Sequence, residues 1–175
     1  MKKVSLLLFC VVVAGVANAQ SATSSAAQPE HAQVAIVEAP SPAASDMEVA
    51  GFFATCAAAN ADSVLNKQLL SDNGALSNAD TSVNVREAKY YFMSAKAYST
   101  EGYAKEKFTE QRNAYADSVR RKISGANLID VIKEGLNRDE SQIALCTFYV
   151  GKNNASITAH VKQSGVLAAT PPKPN

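Results

Sequence analysis

The sequence predicts an all-α fold, a small bundle of about four to five helices with one helix-to-helix disulfide, and three observations point to it. Apolar residues recur three and four apart through most of residues 45–150, the pattern of helices that each bury one face. Capping sequences, Ser45-Asp46-Met47-Glu48 and Asn84-Val85-Arg86-Glu87, stand at the heads of two of these stretches. Cys56 and Cys146 are left as a single pair once an export signal is taken off the front.

Residues 1–19 read as that signal peptide. Lys2 and Lys3 precede an apolar run over 4–16, and Ala17-Asn18-Ala19 is a small-residue cleavage pattern that would leave Gln20 as the first residue. The run is too short for a permanent membrane span. The expected product is therefore periplasmic or secreted, with no stable membrane insertion after cleavage. Cys10 leaves with the signal, and the bulky Phe9 before it argues against lipoprotein processing. The net charge of +1 becomes −1 when Lys2 and Lys3 are lost. So even a balance gives no electrostatic reason to expect nucleic acid as a partner.

Residues 20–44 are dominated by Ala, Ser, Pro and Gln, and Pro29, Pro40 and Pro42 exclude a long helix. They are expected to form a disordered spacer in which Val34-Ala35-Ile36-Val37 is a short apolar run that could be a strand or a docking peptide. The helical domain is expected over 45–162. A disordered Pro-rich tail follows over 163–175.

The first helix starts at the Ser45 capping box. Val49, Phe53, Cys56, Ala57 and Val64 line one face, Asp62, Asn66 and Lys67 fall elsewhere, and Ser71-Asp72-Asn73-Gly74 ends it. Asn60 shares the apolar face, either as a buried lock between helices or at its rim; an unsatisfied buried amide would cost ~1–3 kcal/mol. In the connection over 72–82, Asp72, Asn78 and Asp80 lack the alternate spacing and closing glutamate of a calcium loop.

Residues 84–126 organise the chain. Val85, Ala88, Phe92 and Ala95 share one helical face, whereas Ala104, Phe108, Tyr115, Val119, Ile123 and Ala126 share another about half a turn away. One straight helix cannot bury both, so a break is expected at Ser99-Thr100-Glu101-Gly102, with Ser99 or Thr100 as a new N-cap. Asn84 is expected to cap the first of the two helices. In the second, Glu101 with Lys105 and Asp117 with Arg121 stand four apart, and Arg120, Arg121 and Lys122 complement the negative end of the helix dipole. Gly125 is expected to end it in a left-handed conformation. Asn127 then caps a helix over 128–136.

The last stretch decides the fold class. Residues 139–150 read as a helix that starts at Asp139 with Gln142 as its capping-box partner, buries Ile143, Cys146 and Val150 and stops at Gly151. The alternative is an α+β fold with a C-terminal β-hairpin at 142–162, turning at Gly151-Lys152-Asn153-Asn154 and continuing through alternating Ile157, Ala159 and Val161. A lone hairpin is marginal without partners, which favours the helix.

Two thiols in an oxidising compartment predict a structural disulfide, Cys56 to Cys146, tying the first helix to the last element. No nucleophile elbow, zinc, phosphate-loop or paired-carboxylate pattern is present, and His31 and His160 lie toward the ends of the chain. Neither catalysis nor a cofactor nor a metal is expected. Tyr90, Tyr91 and Tyr98 with Lys89 and Lys96 make an aromatic-rich helix, read either as core or as a partner-binding surface. The expected function is that of an exported helical protein-binding module, a component of a cell-envelope or secretion assembly whose partner is another envelope or secreted protein. The alternative is an exported inhibitor or immunity-like protein that blocks a toxin or hydrolase. A structural envelope protein without a fixed partner is a third class.

Overall fold

Ser45 opens the first helix as its sequence requires. Its hydroxyl accepts from the Glu48 N–H at 3.3 Å while the Glu48 carboxylate accepts from the Ser45 N–H at 2.7 Å, which satisfies two of the amides a helix start leaves orphaned. From there the computed structural model of the chain, which describes residues 35–77 and 79–166, shows four helices: α1 (Asp46–Asp72), α2 (Ser82–Tyr98), α3 (Glu101–Ile123) and α4 (Leu128–Gln163). No strand occurs among the described residues. The signal sequence at 1–19, the spacer as far as residue 34, Asn78 and the tail from 167 lie outside them.

The fold is an all-α bundle in which α1 is the central element, packed against all three other helices. Its Ala54, Ala57, Ala58 and Ala59 are buried along with Phe52 and Phe53. From Phe52 to Asn60 every residue of α1 is buried, so this stretch has no exposed face, and its small side chains let three neighbours come close. Phe53 is the hub: its ring centroid lies 6.1 Å from that of Tyr91, 5.7 Å from Tyr98 and 6.0 Å from Tyr149, within the range of favourable aromatic pairing. Cys56 and Cys146 are bonded with their Cα atoms 5.9 Å apart, so α1 and α4 are joined covalently next to that hub.

The break between α2 and α3 falls where the phase slip predicts. α2 ends at Tyr98, and the Thr100 hydroxyl accepts from the Tyr103 N–H at 3.2 Å as the cap of α3. The start of α2 differs from expectation. Asn84 is no cap: the N-cap is Thr81, three residues earlier, and the Asp80 carboxylate accepts from the Ser82 N–H at 2.9 Å. Asn84 instead turns inward, and its Nδ2 donates to the Asn60 Oδ1 at 3.1 Å. Asn60 is completely buried and also donates to the Cys56 carbonyl at 3.0 Å, so it is a hydrogen-bonded lock between α1 and α2. That lock sets the rotation of α2. It turns Asn84, Glu87, Tyr91 and Ser94 inward and leaves Val85, expected on the buried face, 57% exposed.

α4 corrects two boundaries. One uninterrupted helix of 36 residues runs where two were expected, passing through Gly151 to Gln163, and the hairpin at 142–162 does not form. The reason is a buried stripe at helical spacing, Ile132, Gly135, Asp139, Gln142, Cys146 and Val150 at steps of three and four, then Ile157 two turns on and Val161. Gly151 lies on the exposed side, where it terminates nothing. Gly125 is likewise no left-handed cap, since Gly74 and Gly165 are the positive-φ glycines among the described residues. Asn127 does cap α4, its Oδ1 accepting from the Ile129 N–H at 2.8 Å.

Candidate functional site

The tyrosine-rich helix does not present the surface that was its functional reading. Tyr90 and Tyr91 are buried, at 5% and 0% exposure, and Tyr98 is half buried with its ring stacked flat on His160, centroids 3.8 Å apart. The Asn60–Asn84 lock and the Phe53 hub draw these rings inward, and burial raises the Tyr98 phenol to about 12. Lys96 pairs with Glu101 at 2.7 Å, which takes Glu101 away from its expected partner Lys105. Lys89 is exposed. Arg120 pairs with Asp117, Lys122 pairs with Glu134 of α4, and Arg121 faces solvent. His160 belongs to the packed bundle, its Nε2 3.2 Å from the Ala97 carbonyl.

Polar chemistry collects elsewhere, between α1, α3 and α4. Asp62 and Asp139 are both buried, at 3% and 0% exposure. Asp62 accepts from Arg112 Nε at 2.9 Å, Asp139 accepts from Arg138 and from Asn66 Nδ2 at 2.9 Å, and Tyr115 donates to Asn66 Oδ1 at 2.8 Å. The Arg138 guanidinium lies 4.0 Å over the Tyr115 ring, a cation–π contact. Burial pushes the Asp139 carboxyl up to about 7 against the pull of Arg138, and raises Asp62 against that of Arg112. Each member has a partner, so the cluster is a satisfied network. Asp62 and Asn66 were expected off the buried face, and they face inward because they carry this network.

Beside it runs an apolar groove of about 530 Å³, floored by Tyr115 and Ile132. Its walls hold Leu65 at 41%, Leu69 at 37%, Ile123 at 42% and Leu128 at 44% exposure. Large aliphatic side chains left open together mark interaction surfaces more often than scattered ones do. A second cleft, of about 460 Å³ between α3 and α4, is lined by Ser118, Lys122, Glu134, Asn137 and Arg138 and is bordered by Ala35 and Ile36.

The border residues belong to a segment expected to be free spacer. Residues 35–44 instead lie along the bundle, with Val37, Ala39 and Ala44 packed against the core. Gln142 holds them: its Oε1 accepts from the Val37 N–H at 2.8 Å, and its Nε2 donates to the Val37 carbonyl at 3.1 Å. Gln142 was read as a capping-box residue. Its place three residues after Asp139 and four before Cys146, on the buried stripe of α4, was the signal that could have found it.

Among the described residues no group of three or more His, Cys, Asp and Glu side chains is placed to hold a metal ion, and no helix is long and apolar enough to cross a membrane. No protein-family model matches the chain, and comparison with curated proteins and with solved structures finds no match either.

Proposed function

We propose that this chain is an exported helical protein-binding module whose docking surface is the apolar groove of α1, α3 and the start of α4. The observation that carries the reading is the group Leu65, Leu69, Ile123 and Leu128, four large side chains opening on one groove. The signal pattern at 1–19 and the Cys56–Cys146 bond support export to an oxidising compartment. Phe108 to Ile123 along the α3 wall spans ~22 Å at 1.5 Å per residue. That is room for four turns of an amphipathic helix, with apolar anchors at steps of three and four. The occupant is such a helix on another envelope or secreted protein.

Photocrosslinking from position 65 in the periplasm tests this, with Leu69→Asp and Leu128→Asp variants assayed beside the unaltered groove. A partner crosslinked through the apolar face of a helix and lost with both folded variants is the expected result. The same partner captured by the variants, or crosslinks scattered over unrelated proteins, would remove the groove from consideration. Capture of an enzyme that loses activity on binding would make the module an inhibitor.

A further inference from the structure

The Gln142 carboxamide does for Val37 what a neighbouring β-strand would do: it engages the N–H and the C=O of one residue at once. Such a pairing recognises backbone rather than side-chain identity. With the segment in place Gln142 is 4% exposed, its amide engaged with the Val37 backbone on one side and its Nε2 3.7 Å from Cys146 Sγ on the other. Around the pairing, Val37 and Ala39 turn toward the core while Ile36 and Glu38 are exposed, the alternation of an extended chain. Beneath Ala35 and Ile36, small side chains of α1, Thr55, Ala58 and Ala59, leave a shallow track bounded by Arg138 and Gln142.

The occupant is weakly held. Residues 35–44 form no regular secondary structure, and they join α1 through a turn in which the Ala44 N–H donates to the Ser41 carbonyl at 3.0 Å. Two backbone bonds and a few small side chains are the kind of attachment that opens locally without unfolding the rest.

We propose that Gln142 and the α1–α4 seam form a docking site for an extended peptide, occupied here by the chain's own residues 35–44, and that a partner segment of the same chemistry displaces them. The partner segment is extended and uncharged where it touches, with small apolar residues two apart and a free N–H opposite Gln142, so proline is excluded there. The cis segment sets a threshold, because its tether holds it at an effective concentration in the millimolar range. This site is separate from the apolar groove and stands whether or not the groove binds a helix.

Hydrogen exchange on the oxidised, unaltered protein tests it. The probe is a synthetic peptide of the sequence Gln33-Val34-Ala35-Ile36-Val37-Glu38-Ala39-Pro40 at several millimolar, distinguished from the chain by mass. The chain segment containing Val37 is expected to be protected alone, and to exchange about tenfold faster with the peptide, the effect of losing about one net hydrogen bond; α1 core amides should not change. A control peptide with proline at the Val37 position is expected to do nothing. A Val37→Pro chain, which gives up the cis N–H, is expected to bind the labelled peptide about tenfold tighter than the unaltered chain, and adding Gln142→Ala should abolish that binding. Unchanged exchange at Val37 in the presence of peptide would overturn the proposal, as would equal displacement by the proline peptide. The exchange arm decides the matter even if the Val37→Pro chain fails to fold.

Discussion

Gly135 stands in the middle of α4, where replacement by alanine ordinarily stabilises a helix by about 1 kcal/mol. Here the opposite is expected. A Cβ at this position would lie 3.0 Å from Tyr115 Cζ and 3.1 Å from Cε2, with the phenol oxygen nearer still. The ring has little freedom to retreat, because its hydroxyl donates to Asn66 and its face is covered by the Arg138 guanidinium. Moving it forfeits about 1 kcal/mol of net hydrogen bonding and about 0.5–2 kcal/mol of cation–π attraction, and overpacking adds about 1–3 kcal/mol. After the helix gain is subtracted, Gly135→Ala should destabilise by about 1.5–5 kcal/mol, with an unchanged denaturant slope. Urea unfolding followed by far-UV circular dichroism measures it. A double-mutant cycle sharpens the test, since Tyr115→Phe removes the nearest atom and should cut the cost of Gly135→Ala by at least about 1 kcal/mol. A Gly135→Ala protein as stable as the parent, or an equal cost in both backgrounds, would refute the packing of α3 on α4 as argued.

Two further outcomes follow from the covalent tie and from the buried carboxylates. Reducing the Cys56–Cys146 bond opens a loop whose ends are 90 residues apart, worth ~4.5 kcal/mol on the chain-entropy account. The melting temperature should fall by about 10–20 °C, and identical melts with and without reductant would show that the bond does not stabilise the fold. Asp139, raised by burial to about 7 and faced by Arg138, Asp62, Asn66 and Tyr115, binds a proton in the folded state at pH values where the unfolded chain has released it. Its contribution is therefore full below about pH 4 and is lost as pH rises to about 7. Asp139→Asn should erase that slope, so the variant gains on the parent between pH 4 and 7 in denaturation measured against pH. A stability difference that is flat in pH, or that moves the other way, would contradict it.

The break at residues 99–102, the Ser45 and Asn127 caps, and the pairing of Cys56 with Cys146 were all legible in the chain. Each rests on a local cause, either a hydrogen bond within a few residues or a count of cysteines, and local causes are written in sequence order. What misled was polarity. Asp62, Asn66, Asn84, Asp139 and Gln142 were assigned outward or to helix ends because a polar side chain is usually wet, yet each is buried and satisfied by a partner on another segment. With Asp139 and Gln142 admitted to the buried stripe, α4 reads as one helix from Leu128 to Gln163. Without them it breaks into pieces and a hairpin becomes thinkable.

The candidate sites divide along the same line. Tyrosine enrichment at 90–98 is visible in the sequence, but whether those rings face water depends on the rotation of α2, which the Asn60–Asn84 bond sets from 24 residues away. The apolar groove joins side chains from three helices, and the seat of residues 35–44 depends on an amide 105 positions along the chain. By itself the sequence determined that this protein is helical, where α1, α3 and α4 start and where one disulfide belongs, because periodicity and capping act over a turn or two. Only the tertiary structure decided which faces are wet, which polar residues are locked inside and what lies across Gln142, because those outcomes are set by contacts between residues far apart in the chain.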